Sequence, residues 1–299
     1  MEALSFLSAR RDRIVLPGRC GRPALAAVAC LTLCATPVAA QETAVAQRSG
    51  RPDAGELAVV GVVNVALSTG VALLAARLEH RPWSAALVKE AAAGGAIHFA
   101  GEALAGVPGT STGLFGRYVA DIGASVSANA LTGRTAFACL SLPAGPLWIN
   151  FPGCARPRVT VDALTLIGIV FAAPGSDLLI GESLSSGVPV FARDHWNARA
   201  TLSGWTLGGT VLVRATSGAG SEQERIRHER IHVIQNDMMQ IAWSRPAEDW
   251  LRKRAGARLP KVLRYVDVDL YAGVGSLLDL TPLNVGAAFE REALTLDGW

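Results

Sequence analysis

Residues 221–239, SEQERIRHERIHVIQNDMM, contain two of the five histidines of the chain, His228 and His232, with Glu229 directly after the first. On an α-helix, positions i and i+4 lie on the same face one turn apart, so both imidazoles can point at one metal ion. The alternative is a charged, solvated helix in which this spacing has no function. We expect the metal site, because the flanking sequence also predicts a well-defined helix.

Signals for the two helix ends flank the motif. Ser221 followed three residues later by Glu224 is a capping-box pattern, and the SGAG segment before it ends the preceding strand. At the other end, Pro246 stops the helical pattern. The sequence therefore predicts a helix from Glu222 to about Trp243.

The pattern His-Glu-x-x-His resembles the active-site helix of zinc-dependent metallopeptidases, over about 15 residues plus a short C-terminal segment. The resemblance implies that His228 and His232 bind Zn²⁺, with one position open for water. It also implies that Glu229 acts as general base on this zinc-activated water, which then hydrolyses a peptide bond. The implied partner is a peptide or protein substrate.

Metallopeptidases of this kind differ in their third metal ligand. The metzincin continuation is absent, because Gln235 stands at its glycine position and Met238 at its third-ligand position. The gluzincin type uses a glutamate from a later helix, and the segment FEREAL implies Glu290, with Glu292 as the alternative. Glutamates two residues apart point to roughly opposite sides of a helix, so one of them should face the metal.

Other residues are candidates to support the site. Gln235 lies seven residues after His228, on the same helix face, and is expected to orient a ligand or simply to pack against another helix. Residues 211–215 are the candidate edge strand for pairing with an extended peptide. The candidate donors for stabilising an oxyanion, by side-chain type, are Tyr265, Tyr271 and His195.

The first 40 residues have the order of a secretory signal peptide, with a basic segment, an apolar run and small residues before Gln41. A retained membrane anchor is the alternative. The sequence thus predicts an exported protein, which is periplasmic, envelope-associated or secreted. Beyond residue 40 the chain has 23 basic and 23 acidic residues, which does not favour a nucleic-acid partner. Cys139 and Cys154 form either one disulfide or two thiols.

Residues 41–54 are predicted to be a flexible linker, and residues 55–135 a Gly/Ala-rich helical block of three segments. The glycines of this block indicate close contacts between helices. Residues 57–76 carry no charge and are long enough to cross a bilayer. A buried bundle and membrane association through residues 57–132 are both compatible with this composition. His98 and Glu102, four residues apart, form either a helix face or a second ligand pair.

Residues 136–299 are expected to form an antiparallel β meander followed by the metallopeptidase-like unit and a C-terminal helix. The predicted fold class is therefore α+β. The leading functional hypothesis is an exported zinc-dependent metallopeptidase. The alternative is a non-catalytic, envelope-associated binding or scaffold protein with a structural zinc or none. Glu229 favours the enzyme, because a structural zinc site needs no general base.

Overall fold

The computed structural model of the chain describes residues 54–108, 110–152, 156–194, 204–215, 222–246, 248, 265–267 and 285–297. Within these residues the fold is mixed, with α-helices and two small β-sheets. The predicted signal peptide and nearly all of the predicted linker lie outside them, as do Cys154, His195 and Tyr271. The described part therefore contains the helical block, the sheets and the motif helix.

Three helices form the N-terminal block, as predicted from the sequence: α1 (Ala54–Leu78), α2 (Ala85–Gly106) and α3 (Thr110–Leu131). The start of α2 is set by Ser84, whose hydroxyl accepts a hydrogen bond of 3.1 Å from the backbone N–H of Leu87.

Helices α2 and α3 approach each other closely because glycines lie at their crossing. A Cβ placed on Gly101 would be 2.2 Å from the backbone nitrogen of Ala120, and one on Gly123 would be 2.2 Å from that of His98. No side chain larger than hydrogen fits at either position without movement of a backbone. The expected close helix contacts are thus confirmed, and they place His98 in the interior, where only 2% of it is exposed.

Helix α1 is the described helix that could cross a membrane on length and composition alone. Its apolar stretch covers Ala54–Arg77, which is 24 residues, and 17% of the most apolar part of that stretch is buried. On its outer side, Val59, Val62 and Val63 are exposed to solvent. The association of this block with a membrane stays a prediction.

The strands form two separate four-stranded sheets. The strands are β1 (Cys139–Ala144), β2 (Leu147–Pro152), β3 (Arg158–Asp162), β4 (Asp177–Leu178), β5 (Val190–Arg193), β6 (Gly204–Leu207), β7 (Thr210–Arg214) and β8 (Val266–Asp267). Sheet one has the order β1-β2-β3-β8, and β3 pairs with β8 in parallel. Sheet two has the order β4-β5-β7-β6, and β5 pairs with β7 in parallel. The other neighbouring pairs are antiparallel.

The predicted antiparallel meander is wrong in two respects: each sheet is mixed, and two of its expected strand segments contain helices. Residues Ala163–Ala172 form α4, because the carboxylate of Asp162 accepts hydrogen bonds from the backbone N–H groups of Leu164 and Thr165 and so caps a helix. Residues Ile180–Ser186 form α5, which ends at a left-handed glycine at position 187.

Helix α4 is packed with its small residues inward. Thr165, Gly168 and Ala172 are buried, and an added Cβ on Gly168 would contact sheet two at 2.8 Å. The large residues of the same helix face solvent, with exposed fractions of 42% to 69%: Leu166, Ile167, Val170 and Phe171. The helix therefore uses close backbone approach, rather than large apolar side chains, to contact the sheet.

The motif helix α6 (Glu222–Met239), continued by a π-helical segment (Gln240–Ser244), lies at the centre of the fold. One side of α6 packs on sheet two through Ile226 and Val233. The opposite side packs through Ile231 and Ile234 on α2, α3 and the C-terminal helix α7 (Val285–Asp297). Both sides of the helix are therefore covered, one by the sheet and the other by the helical block and α7.

A buried ion pair fixes α3 against α6. The guanidinium of Arg117 donates to both carboxylate oxygens of Asp237, at 2.7 Å and 3.3 Å, and also to the carbonyl of Gly187 at 2.6 Å. The two charged side chains are 1% and 4% exposed. One side chain thus joins the helical block, the motif helix and the turn that follows α5.

Candidate metal centre

Helices α6 and α7 bring His228, His232 and Glu290 together, with one potential ligand atom of each lying within 4.8 Å of the others. Nε2 of His228 is 3.1 Å from Oε1 of Glu290, and Nε2 of His232 is 3.0 Å from Oε2. The two Nε2 atoms are 3.2 Å apart. Two nitrogens and a carboxylate therefore converge on one point at the surface of the cleft.

This donor set could hold a metal ion, and two imidazole nitrogens with a carboxylate are donor types that zinc accepts. Ligands bound to tetrahedral zinc at about 2.0–2.1 Å lie about 3.3 Å from one another, close to the 3.2 Å between the two Nε2 atoms, whereas the two contacts of Glu290 use different oxygens. The ring planes of His228 and His232 are at 86° to each other, so their lone pairs approach from different directions. Three protein ligands leave a fourth position for water or substrate.

The outer side of His232 is held by Gln235, since Nδ1 of His232 lies 2.9 Å from Oε1 of the glutamine. Because an amide oxygen only accepts, this contact places a proton on Nδ1, which makes Nε2 the nitrogen that would bind a metal. The amide nitrogen of Gln235 donates to the carbonyl of Phe289 and to Glu292, at 3.2 Å and 3.0 Å. Gln235 therefore connects a ligand of α6 to α7.

The two candidate glutamates of α7 have different surroundings. Glu290 has a 53% exposed side chain in contact with both histidines, and hydrogen bonding from the two imidazoles holds its pKa well below the ordinary value. Glu292 turns inward, where its carboxylate accepts from Asn64 at 2.5 Å and from Gln235. Burial raises the pKa of Glu292 to about 8. The geometry thus groups Glu290 with the histidines and Glu292 with the interior.

Glu229 lies beside the histidines and is 7% exposed. Its Oε2 accepts a hydrogen bond of 2.6 Å from the hydroxyl of Thr206 on β6. Burial raises the pKa of Glu229, and the Thr206 hydrogen bond acts in the opposite direction. A carboxylate with a raised pKa at a cleft wall is suited to accept and return a proton.

Strand β6 is the edge of sheet two and passes directly over Glu229. A Cβ on Gly204 would lie 2.3 Å from Oε1 of that glutamate, so the glycine makes room for the carboxylate. The expectation that residues 211–215 form the edge is wrong, because β7 is paired on one side with β5 and on the other with β6. The exposed edge beside the site belongs to Gly204–Leu207.

A cleft of about 300 Å³ lies between this edge and α7. Glu229, His232 and Glu290 are on its walls, and the side chains of Trp205 and Phe289 supply apolar surface. The lining therefore combines the candidate metal ligands, the candidate base and a strand edge in one open groove.

The remaining sequence candidates lie elsewhere or outside the described residues. Tyr265 precedes β8 in sheet one, where its carbonyl accepts from the N–H of Val161, and it does not line the cleft. Tyr271, His195 and Cys154 are not among the described residues, so the oxyanion donor and the disulfide stay predictions. His98 and Glu102 form a buried pair with Nε2 and Oε1 at 3.3 Å.

Thr206 and Gly204 were missed by the sequence reasoning. Neither residue type is a metal ligand or a usual proton acceptor, and β6 is separated from α6 by the whole of β7. The sequence feature that could have pointed to these two residues is the short segment SGWTLGGT, whose pattern is typical of a tight hairpin and which lies just before the motif helix.

The chain matches no family model, no curated protein and no solved structure.

Proposed function

We propose that the protein is an exported zinc-dependent hydrolase of the metallopeptidase type. The observation that carries the proposal is the convergence of His228, His232 and Glu290 beside the buried carboxylate of Glu229. A zinc ion, when bound, supplies a lowered pKa for water and polarises a carbonyl oxygen. The three convergent side chains would hold the ion, and Gln235 would keep His232 in the binding tautomer.

Glu229 is the proposed general base. Its carboxylate is held by the Thr206 hydroxyl, and the residue lines the groove. In the proposed reaction this carboxylate takes a proton from the attacking water and returns it to the leaving amine. The raised pKa of Glu229 brings its proton affinity closer to that of the groups with which it exchanges.

The groove favours an extended peptide as substrate. Among the described strands, none pairs with the outer edge of β6 at the groove, and a peptide backbone can add to such an edge by main-chain hydrogen bonds. Trp205 and Phe289 would contact apolar side chains of the substrate. A peptide bound in this way would lie within reach of Glu229.

Two measurements test the proposal. The first is the zinc content of the purified protein, compared with His232→Asn and with the matched control His80→Asn, since His80 is an exposed histidine outside the site. We expect one zinc ion per chain in the wild type and in the control, and a clearly lower zinc content in His232→Asn. A wild-type protein that binds no zinc would contradict the metal site.

The second measurement is cleavage of a mixed peptide library by the wild type and by Glu229→Gln. The amide keeps the size of the side chain but accepts no proton, so we expect a loss of about 10²–10⁴-fold in rate with zinc retained. Equal rates in the two proteins would exclude Glu229 as the base.

The second candidate is a non-catalytic binding or scaffold protein with a structural zinc. The exposed apolar residues of α4, Val170 and Phe171 among them, favour it, because large apolar side chains on a surface commonly mark interaction sites. In this case zinc binds but neither the wild type nor Glu229→Gln cleaves peptides. The two measurements together therefore distinguish both candidates.

A further inference from the structure

The side chain of Asn64, in the middle of α1, contacts the C-terminal helix α7. Its amide nitrogen donates a hydrogen bond of 2.5 Å to Oε1 of Glu292, a residue 228 positions further along the chain. The same nitrogen lies 3.3 Å from the carbonyl oxygen of Val60 in its own helix. Residues 57–76 carry no charge, and a polar side chain in such an apolar helix needs a partner. Asn64 therefore joins the helical block to α7 by a directed polar contact.

Glu292 also contacts a second amide. Its Oε2 accepts a hydrogen bond of 3.0 Å from Nε2 of Gln235, and Oε1 of Gln235 lies 2.9 Å from Nδ1 of His232. We call Asn64, Glu292 and Gln235 the hydrogen-bond relay. The relay extends from α1 through α7 to α6, and it ends at a candidate metal ligand.

The orientation of the Gln235 amide decides which nitrogen of His232 can bind a metal. An amide nitrogen donates and an amide oxygen accepts. Because Nε2 of Gln235 is directed at two acceptors on α7, the carbonyl of Phe289 at 3.2 Å and Glu292, its oxygen is turned towards His232. A reversed amide would present a donor to Nδ1, which would favour the proton on Nε2 and block the metal-binding nitrogen. The acceptors on α7 therefore determine how this ligand is presented.

The residues around the hydrogen-bond relay are closely packed. A Cβ on Gly95 of α2 would lie 2.8 Å from the backbone carbonyl oxygen of Asn64, so α1 is in close contact with α2 at this level. Gln235 is 3% exposed, and Ala293, next to Glu292, is fully buried in the contact between α6 and α7. The side chains of the relay thus meet at positions that the packing of the helices determines.

We propose that Asn64 is a positioning residue for the candidate metal centre. Its hydrogen bond keeps the carboxyl group of Glu292 in place to accept from Gln235, and Gln235 keeps the imidazole of His232 in the orientation that binds the ion. Asn64 is not one of the three converging ligands, so it acts through these side chains. This role rests on the proposed zinc site, and zinc affinity measures it without any peptide substrate.

The test is the Kd for zinc of the full chain, measured by competition with a coloured chelator. The leucine of Asn64→Leu has a similar size and no donor. We expect the Kd to rise about three- to tenfold, less than the roughly 10–100-fold typical of a direct partner of a ligand. A folded Asn64→Leu protein with the wild-type Kd would overturn the proposal.

Thr69→Val, on the same helix, is the matched control. The buried hydroxyl of Thr69 has no hydrogen-bond partner among the described residues, so its removal should leave the Kd for zinc unchanged. A rise in the Thr69→Val protein equal to that in Asn64→Leu would mean that any polar-to-apolar change in α1 weakens the site, which would contradict a specific role of Asn64.

A double-mutant cycle separates positioning through Gln235 from a general loosening of the fold. When Gln235→Leu is already present, the hydrogen-bond relay no longer reaches His232, so Asn64→Leu should raise the Kd by less than about twofold. A purely structural effect of Asn64→Leu would raise the Kd by the same factor in both backgrounds. That additive result would overturn the proposal.

Glu292→Met tests the middle of the hydrogen-bond relay and replaces Asn64→Leu if thermal unfolding shows that variant to be unfolded. The methionine has a similar length and accepts from neither amide, so we expect a rise in Kd at least as large as that in Asn64→Leu, again without a further effect in Gln235→Leu. A wild-type protein that binds no zinc would overturn the metal site and this role together. A wild type that binds zinc, with additive or silent variants, would overturn the role of Asn64 alone.

Discussion

The hydroxyl of Thr206, on the edge strand of sheet two, donates a hydrogen bond of 2.6 Å to the carboxylate of Glu229 on the motif helix. The same hydroxyl lies 3.2 Å from the carbonyl oxygen of Glu229. The position of the candidate base is therefore set jointly by the helix that carries it and by the strand on which a peptide would lie.

Replacement of Thr206 by valine removes this hydrogen bond and keeps the shape of the side chain. We expect the rate of peptide cleavage to fall by about 10²-fold with zinc content unchanged, because a misplaced base loses its alignment with water. Thr210→Val is the matched control, since the hydroxyl of Thr210 donates to the carbonyl of Thr165 instead. Similar rates in the two variants would argue against a positioning role for Thr206.

Gln235→Leu should weaken zinc binding without removing a ligand. The leucine cannot accept from Nδ1 of His232, so the imidazole loses its orientation, and we expect the Kd for zinc to rise by about 10–100-fold. Competition with a coloured zinc chelator measures this change. Asn236→Leu, the next residue along the same cleft, serves as control and should keep the wild-type Kd.

Removal of the Arg117 side chain should cost considerable stability. In Arg117→Met the carboxylate of Asp237 stays buried without its cation, and we expect the free energy of unfolding to fall by about 3–5 kcal/mol. The double variant Arg117→Met/Asp237→Leu should recover much of that loss, because neither member of this ion pair is left buried without the other. Urea unfolding of the wild type, the single variant and the double variant measures the free energy of unfolding of each. A double variant as unstable as the single one would contradict the explanation.

Stability should decrease as the pH rises through the range in which His98 titrates. The pKa of His98 in the folded protein is about 9, above the ordinary value of about 6.5 in an unfolded chain. The contribution of His98 to the free energy of unfolding is therefore complete below about pH 6.5. It is lost as the pH rises through about 9, which lowers that free energy by roughly 3 kcal/mol. Glu292 acts in the same direction, because its raised pKa of about 8 makes its ionisation unfavourable in the folded state.

Urea unfolding between pH 6 and pH 9.5 measures this dependence. The titratable groups that face His98 are Glu102 on its own helix, Asp121 on α3 and Glu292 on α7. His98→Gln should reduce the decline in stability between pH 7 and pH 9, whereas His80→Gln, at an exposed position, should keep it. A wild-type profile without a decline across this range would contradict a charged, buried His98.

The three block helices and the motif helix were predictable because their signals are local. The capping-box pattern of Ser221 and Glu224, the spacing of His228 and His232, and the glycines of the helical block are all encoded over a few residues, and the structure has the three block helices and a motif helix that begins at Glu222. The predicted end of that helix near Trp243 coincides with the π-helical segment that extends it. The sequence pattern of residues 285–297 likewise corresponds to a helix.

The β region was less predictable, because its secondary structure and strand pairing depend on contacts between residues that are distant in the sequence. The run ALTLIGIVFA has the composition of a buried strand, yet the side chain of Asp162 starts a helix there. The parallel pairing of β5 with β7 is also not visible in either strand alone. For the same reason Thr206 could not be connected to Glu229, since only the register of β6 on β7 brings it there.

The inward packing of small residues in α4, and of glycines between α2 and α3, has a thermodynamic consequence. Unfolding raises the heat capacity mainly by exposing apolar surface that the folded protein had covered. Leu166, Val170 and Phe171 already face water in the folded state and add little to that change. The heat-capacity increment per residue should therefore fall below the usual range of about 12–15 cal/mol/K, which gives a flatter curve of stability against temperature.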